Sequence, residues 1–322
     1  MQITPKITPK VALCFILNYE HVLVKETLWR KWIEPNADII NVYFFYQNAA
    51  KIKSDWVRER MIPQAYCAET SYLFVLPAYI ALMRYALRAD GGANEWAVFL
   101  TDFCAPITTP RRFRQLFFEH HAHTFMNWRP CWWNVEKQHR ANLKLLPEQF
   151  HLANSPWFTM TRAHIEIVLQ FIHENPTMAK MVFDGVVANE SFFAIALEKY
   201  GVLKGSSSVL RMDSHIADWG RMSSATSPHI FSRGDHSDRH FIDDTISANP
   251  YVMFLRKVAP ELPDAFIEKY IDNGANSAAP YTPWKFYLPL WAFRRLHLIT
   301  PLLVARIITI IVGIWIGYVV FI

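Results

Sequence analysis

The stretch VVANESFFAIAL, residues 186–197, places Glu190 between two apolar runs. A carboxylate where an aromatic helix begins has one plain explanation, because negative charge stabilises a helix N-terminus. Other charged groups stand in similarly pointed places. FLTDFCAPI puts Asp102 just past a strand-like run, at the end of the strand where ligands of α/β sheets gather. NPYVMFLRKV closes a short apolar element with two adjacent cations, Arg256 and Lys257. NVEKQHRANLK carries Glu136, Lys137 and Arg140, a set that a solvated surface also accounts for. Trp219 sits in SHIADWGRMSSATSPHIF, where its indole could equally pack in a core or lie against a ligand. The histidines of FFEHHAHTF have no carboxylate at ligand spacing and read as a helix end. Several common chemistries lack their residues altogether. No glycine-rich dinucleotide or P-loop motif occurs, no zinc-type Cys/His spacing, no Gly-x-Ser-x-Gly elbow and no Asp-x-Asp. What remains is an α/β enzyme or binding domain that works through dispersed carboxylates and cations.

The elements that must hold these groups follow from the apolar pattern. KVALCFILNY (Lys10–Tyr19) and ADIINVYFFYQ (Ala37–Gln47) are apolar runs of strand length, and EHVLVKETLWRKWI between them has helical spacing. That is the opening of an α/β sheet. TSYLFVLPAYIALMRYALRAD predicts a helix with Pro77 in its first turns, and EWAVFLTDFCAPI a third strand that runs into a loop. PRRFRQLFFEHH predicts a short helix. Residues 124–153 read as long loops, SPWFTMTRAHIEIVLQFIHEN as a strand followed by a helix, and residues 184–200 as a loop and a helix. The Ser-, His-, Asp- and Arg-rich residues 204–244 read as flexible loops. No internal repeat or low-complexity tract appears.

In this order the segments resemble the core-2/I-branching β-1,6-N-acetylglucosaminyltransferase family, which also contains peptide xylosyltransferases and plant relatives. The resemblance runs from about Lys10 to Lys257. KVALCFILNY is similar to the family's first strand, and RERMIPQ with the helix after it to a stretch around an isoleucine–proline. FLTDFCAPI is similar to its LS-x-S-(D/C)-x-P-(I/L) loop, NSPWFTMTRAHIEIVL to GSQWFxLxRxxAxxV, and FLRKV to LFARKF. VVANESFFAIAL is similar to xxxDExxxxTxL, whose glutamate is the family's base, although Asn189 stands where the family has Asp. The resemblance implies a GT-A-like nucleotide-sugar domain. It would be an inverting glycosyltransferase taking GlcNAc, less readily xylose, from a UDP-sugar to a glycan or protein acceptor. Glu190 is then the general base, its proton affinity raised by apolar neighbours such as Phe192 and Phe193. Arg256 and Lys257, with Asp102, would serve the nucleotide-sugar, and the two cations would stabilise the departing diphosphate with no metal cofactor. Trp219, Glu136 and Arg140 would meet the acceptor. The alternative is a non-catalytic, membrane-attached carbohydrate-binding or assembly protein on the same fold, and UDP binding without metal separates the two.

The bulk properties frame that expectation. The 322 residues are 52% hydrophobic, enough for a sizeable core, and the formal charge of +5 is spread without long basic runs, so nucleic acid is not indicated. Residues 301–322 (PLLVARIITIIVGIWIGYVVFI) carry only Arg306 as a charge, and a helix needs roughly 20 apolar residues to cross a bilayer. A single-pass C-terminal anchor is expected there, after a linker and basic segment at 273–300 and a catalytic domain at 1–272. Arg294, Arg295 and His297 precede that run and no charge follows it, which favours a cytosolic domain. The four cysteines are scattered and predict reduced thiols, and the usable glycosylation sequon, Asn189-Glu190-Ser191, overlaps the proposed base.

Overall fold

A computed structural model describes residues 8–272 of the chain. Strand β1 (Lys10–Ile16) is buried on both faces because its alternate residues feed two layers. Val11, Leu13 and Phe15 join one apolar cluster, and Ala12, Cys14 and Ile16 the other. A strand with side chains pointing alternately up and down, apolar on both sides, belongs in the middle of a covered sheet. It lies between β2 (Ile40–Phe45) and β3 (Asn94–Thr101), parallel to both. Ile16 pairs with Phe45 on one side and Thr101 on the other, so the three strands end together.

Around this core the chain adds β4 (Cys104–Pro106), β5 (Thr124–Phe125), β6 (Trp128–Pro130), β7 (Leu152–Asn154), β8 (Thr159–Thr161), β9 (Val209–Leu210), β10 (His215–Ala217) and β11 (Phe254–Arg256). The main sheet has six strands in the order β2-β1-β3-β8-β5-β9. β8 runs antiparallel to β3 and β5, and β9 runs parallel to β5. A smaller sheet, β10-β11-β4, and the β6-β7 pair complete the strands.

The helices cover the two faces. They are α1 (Glu26–Ile33), the one-turn α2 (Asp55–Arg58), α3 (Leu76–Arg88), α4 (Pro110–His120), α5 (Arg162–Glu174), α6 (Pro176–Phe183), α7 (Phe192–Lys199), the one-turn α8 (Val202–Gly205), α9 (His236–Ala248) and α10 (Asp264–Asp272). In α1, Leu28, Trp29, Trp32 and Ile33 form a buried stripe, the spacing of one helix face. Both indoles also donate hydrogen bonds: Trp29 Nε1 to the Cys104 carbonyl at 3.0 Å and Trp32 Nε1 to the Thr108 carbonyl at 2.7 Å. The helix thus clamps the segment that carries Asp102. The architecture is mixed α/β around a central sheet and fits a GT-A-like domain.

Three sequence expectations need correction. The loop expected after the third strand contains β4, which crosses into the smaller sheet against β11. Residues 124–153 hold β5, β6 and the start of β7, each too short to show a period. Residues 204–244 contain β9, β10 and much of α9, where only loops were expected. Helix α9 is polar nearly all round; it starts because the Asp235 carboxylate accepts the Asp238 amide at 2.9 Å, and it docks through Ile242 and Ile246. The expected anchor at Pro301–Ile322 lies outside the described residues. Among the described residues no helix is long and apolar enough to cross a membrane.

Candidate functional site

Asp102, Arg256 and Lys257 come together where the parallel strands end. Asp102 follows β3, is 3% exposed, and its Oδ2 accepts the Asn18 amide from the end of the β1 run at 3.4 Å. Arg256 ends β11 opposite Cys104. Its Nη1 donates to Thr101 Oγ1, its guanidinium lies 4.0 Å above the Trp157 ring, and its buried Nε has no acceptor among the described residues. The Lys257 ammonium sits 4.8 Å from the Phe103 ring centre. Burial pushes the Asp102 carboxyl up to about 7, against the opposing pull of Arg256 and Lys257. Burial, then the charge of Arg256, pulls the Lys257 ammonium below its ordinary value. Two partly buried cations, one with an unused donor, make a place for an anion with several oxygens.

Glu190 ends a short 3-10 turn, Ala188–Glu190, immediately before α7. It is ion-paired with Arg140, and both side chains are about a quarter exposed (25% and 27%). Burial raises its proton affinity, and Arg140 opposes the rise by charge and hydrogen bond. The neighbourhood is tightly specified. Gly185 lies so close to the backbone of Ala141 and Asn142 that an added Cβ would overlap it. Ala141 donates its amide to the Val186 carbonyl at 2.9 Å. Ala141, Asn142 and Val187 all have left-handed backbone, with φ of 50°, 49° and 55°. For a β-branched valine that is a strained conformation, which the surrounding bonds must impose. The Arg140 guanidinium in turn lies 4.3 Å above the Trp133 ring and 5.8 Å from that of the 57%-exposed Trp132.

Tyr79 of α3 stands against both groups. Its buried phenol feels the charges of Arg256 and Glu190 and donates to the Pro156 carbonyl at 2.7 Å. Asn154, two residues before Pro156, donates to the Asn189 carbonyl at 2.9 Å and accepts the Ala194 amide at 3.2 Å. The segment Asn154–Trp157 therefore grips the Glu190 turn at one end and the Arg256 side chain at the other. Asn189, which departs from the family pattern, is 6% exposed and tied into this web. A glycan on Asn189 is incompatible with this fold.

The remaining expected site residues are not drawn in. Glu136 is exposed on a turn organised by Asn134, and Trp219, 44% exposed, follows β10. Among the described residues no hydrogen bond or ion pair joins either side chain to Glu190 or to the cations. Tyr79, Trp132, Trp133 and Trp157 were not singled out from sequence. The available signal is the NSPWFTMTRAHIEIVL stretch, whose likeness to GSQWFxLxRxxAxxV contains Trp157 without giving it a role. Among the described residues there is no cluster of His, Cys, Asp and Glu that could hold a metal ion.

A protein-family model described as Branch, Core-2/I-Branching enzyme, matches residues 41–243. The match includes Asp102, Arg140, Trp157, Glu190 and Trp219; β1 and the Arg256–Lys257 pair lie beyond it. No curated protein matches the chain.

Proposed function

The chain belongs to the Core-2/I-branching enzyme family, a family of glycosyltransferases that move a sugar from a nucleotide-sugar donor to a glycan acceptor, and we propose that it is an inverting, metal-independent member using a UDP-sugar. GlcNAc is the first donor to try and xylose the second. The observation that carries this reading is the joining, through Tyr79 and Asn154–Trp157, of an ion-paired glutamate to a pair of partly buried cations.

The acceptor hydroxyl gives its proton to the Glu190 carboxylate as its oxygen forms a bond to the anomeric carbon of the donor. The bond from that carbon to the diphosphate oxygen breaks on the opposite face, and the electron pair leaves with UDP. One displacement inverts the anomeric configuration. Arg140 keeps Glu190 ionised and aimed, while burial keeps its proton affinity high; a base needs both. Arg256 and Lys257 meet the charge that grows on the leaving diphosphate. Asp102, buried near them at the end of β3, faces the nucleotide-sugar from the strand's C-terminal end.

The test has two arms. Full-length protein in EDTA should bind UDP and turn over a UDP-sugar from a panel of donors. Glu190→Gln should keep UDP affinity and lose turnover by about 10²–10⁴-fold, the usual loss on removing a general base. Near-normal turnover in the Gln variant sinks the base assignment. Absence of UDP binding at millimolar nucleotide leaves the non-catalytic, carbohydrate-binding alternative, and strict dependence on a divalent metal removes the diphosphate role of the cations.

A further inference from the structure

Arg256 has the reach and flexibility of any arginine, and a phosphate-binding guanidinium is useful only if it waits in one orientation. Its Nη1 is already committed to Thr101 Oγ1. One face of its plane is covered by Trp157 at 4.0 Å. Its Nε is buried and unbonded among the described residues. These contacts leave the guanidinium little freedom to turn, and they leave a donor unused.

Trp157 is itself held from two directions. The Tyr79 phenol donates to the Pro156 carbonyl, and Ser155 Oγ donates to the Trp157 carbonyl at 3.2 Å. The next residue, Phe158, is fully buried against Phe99 of β3, whose amide bonds the Phe158 carbonyl at 3.0 Å. The backbone that carries the indole is thus fixed on the rigid part of the fold.

On the nucleotide-sugar reading above, we propose that Trp157 is a positioning residue: its indole face orients the Arg256 guanidinium for the diphosphate of the donor. It touches the cation and acts on the phosphates through it. A cation held over a partly desolvated indole gains enough to account for roughly a tenfold change in affinity. The effect should be specific to the phosphates.

Calorimetric titration of the full-length protein in EDTA, with UDP and with uridine as separate probes, tests this. Trp157→Ala should weaken UDP about tenfold and leave uridine unchanged. Trp157→Leu keeps apolar bulk at a partly buried position and removes the aromatic face; it should behave like the Ala variant. Trp157→Phe should recover most of the UDP affinity. In the Arg256→Ala background, Trp157→Leu should add no further loss. Equal UDP affinity in Trp157→Leu and wild type overturns the proposal, because packing alone then suffices. A parallel fall for uridine and UDP also overturns it, because the indole then serves the nucleoside. Wild-type protein that binds uridine and not UDP overturns the role of Arg256 and of Trp157 together. Wild-type protein that binds neither overturns the nucleotide-sugar reading, and the Trp157 role falls with it.

Discussion

Glu190 is under opposed influences. Burial makes its carboxylate more basic, and the Arg140 guanidinium makes it less so; burial prevails. Arg140→Ala removes the opposing charge. The folded-state pKa of Glu190 then rises further, and the ionised base is lost at a higher pH. The acidic limb of the kcat/KM profile should move upward in pH, with activity at alkaline pH less affected; an unmoved limb would show that Arg140 does not tune the base. Asp102 gives a prediction about stability. Its carboxyl titrates near 7 in the fold and near about 3.9 in an unfolded chain. A raised folded pKa means a contribution to stability that is fully present below about pH 4 and is lost as pH rises through 7. Asp102→Asn does not titrate. Relative to wild type, it should gain thermal stability as pH rises from 4 to 8, and a pH-independent difference between the two melting temperatures counts against the buried acid.

At the scale of elements, the active geometry rests on segments rather than on long helices or strands. The turn at Ala188–Glu190 is trapped between the Arg140–Asn142 backbone, the Asn154 side chain and α7. Gly185 permits the first of these contacts, since a side chain there would overlap Ala141 and Asn142. Gly185→Ala must push the two segments apart. The expected cost in stability is about 1–3 kcal/mol, the range for overpacking. Turnover should fall more than UDP affinity, because Arg140 and Glu190 move while Arg256 and Trp157 are held by other elements. Equal losses of both would indicate a general loosening of the domain. Helix α9 shows why element boundaries were hard to read here. Its cap, Asp235, and its buried isoleucines form a sparse pattern inside a polar stretch, and only docking onto the core selects helix over loop.

For the whole molecule, the proposed arrangement is a cytosolic-facing enzyme at a membrane surface, tethered by Pro301–Ile322, a segment outside the described residues. Its composition alone argues for insertion. Alkaline carbonate washing of membranes from cells expressing the full chain should leave the protein in the pellet, and protease added to intact vesicles should digest the catalytic domain. Release into the wash removes the anchor, and protection of the domain reverses its side. The buried Asn189 is consistent with a domain that carries no glycan at its sequon.

The sequence by itself determined the strand–helix–strand opening of the sheet, since Val11–Ile16 is a continuous apolar run and Ile40–Phe45 a largely apolar one, with helical spacing between them. It also singled out Glu190, Asp102, Arg256 and Lys257, because a charge set against an apolar run stands out in one dimension. It could not determine who meets whom. Arg140 lies 50 residues from Glu190 and Thr101 lies 155 from Arg256, and no local periodicity encodes such pairs. Trp157 and Tyr79 look like ordinary core aromatics until the fold sets one on a guanidinium and the other between the two charged groups. Glu136 and Trp219 make no hydrogen bond or ion pair to Glu190 or the cations among the described residues, and their proposed place at the acceptor rests on local likeness to a family pattern alone. The contacts that do form depend on which segments the packed core brings within hydrogen-bonding distance, and that is decided by folding in three dimensions.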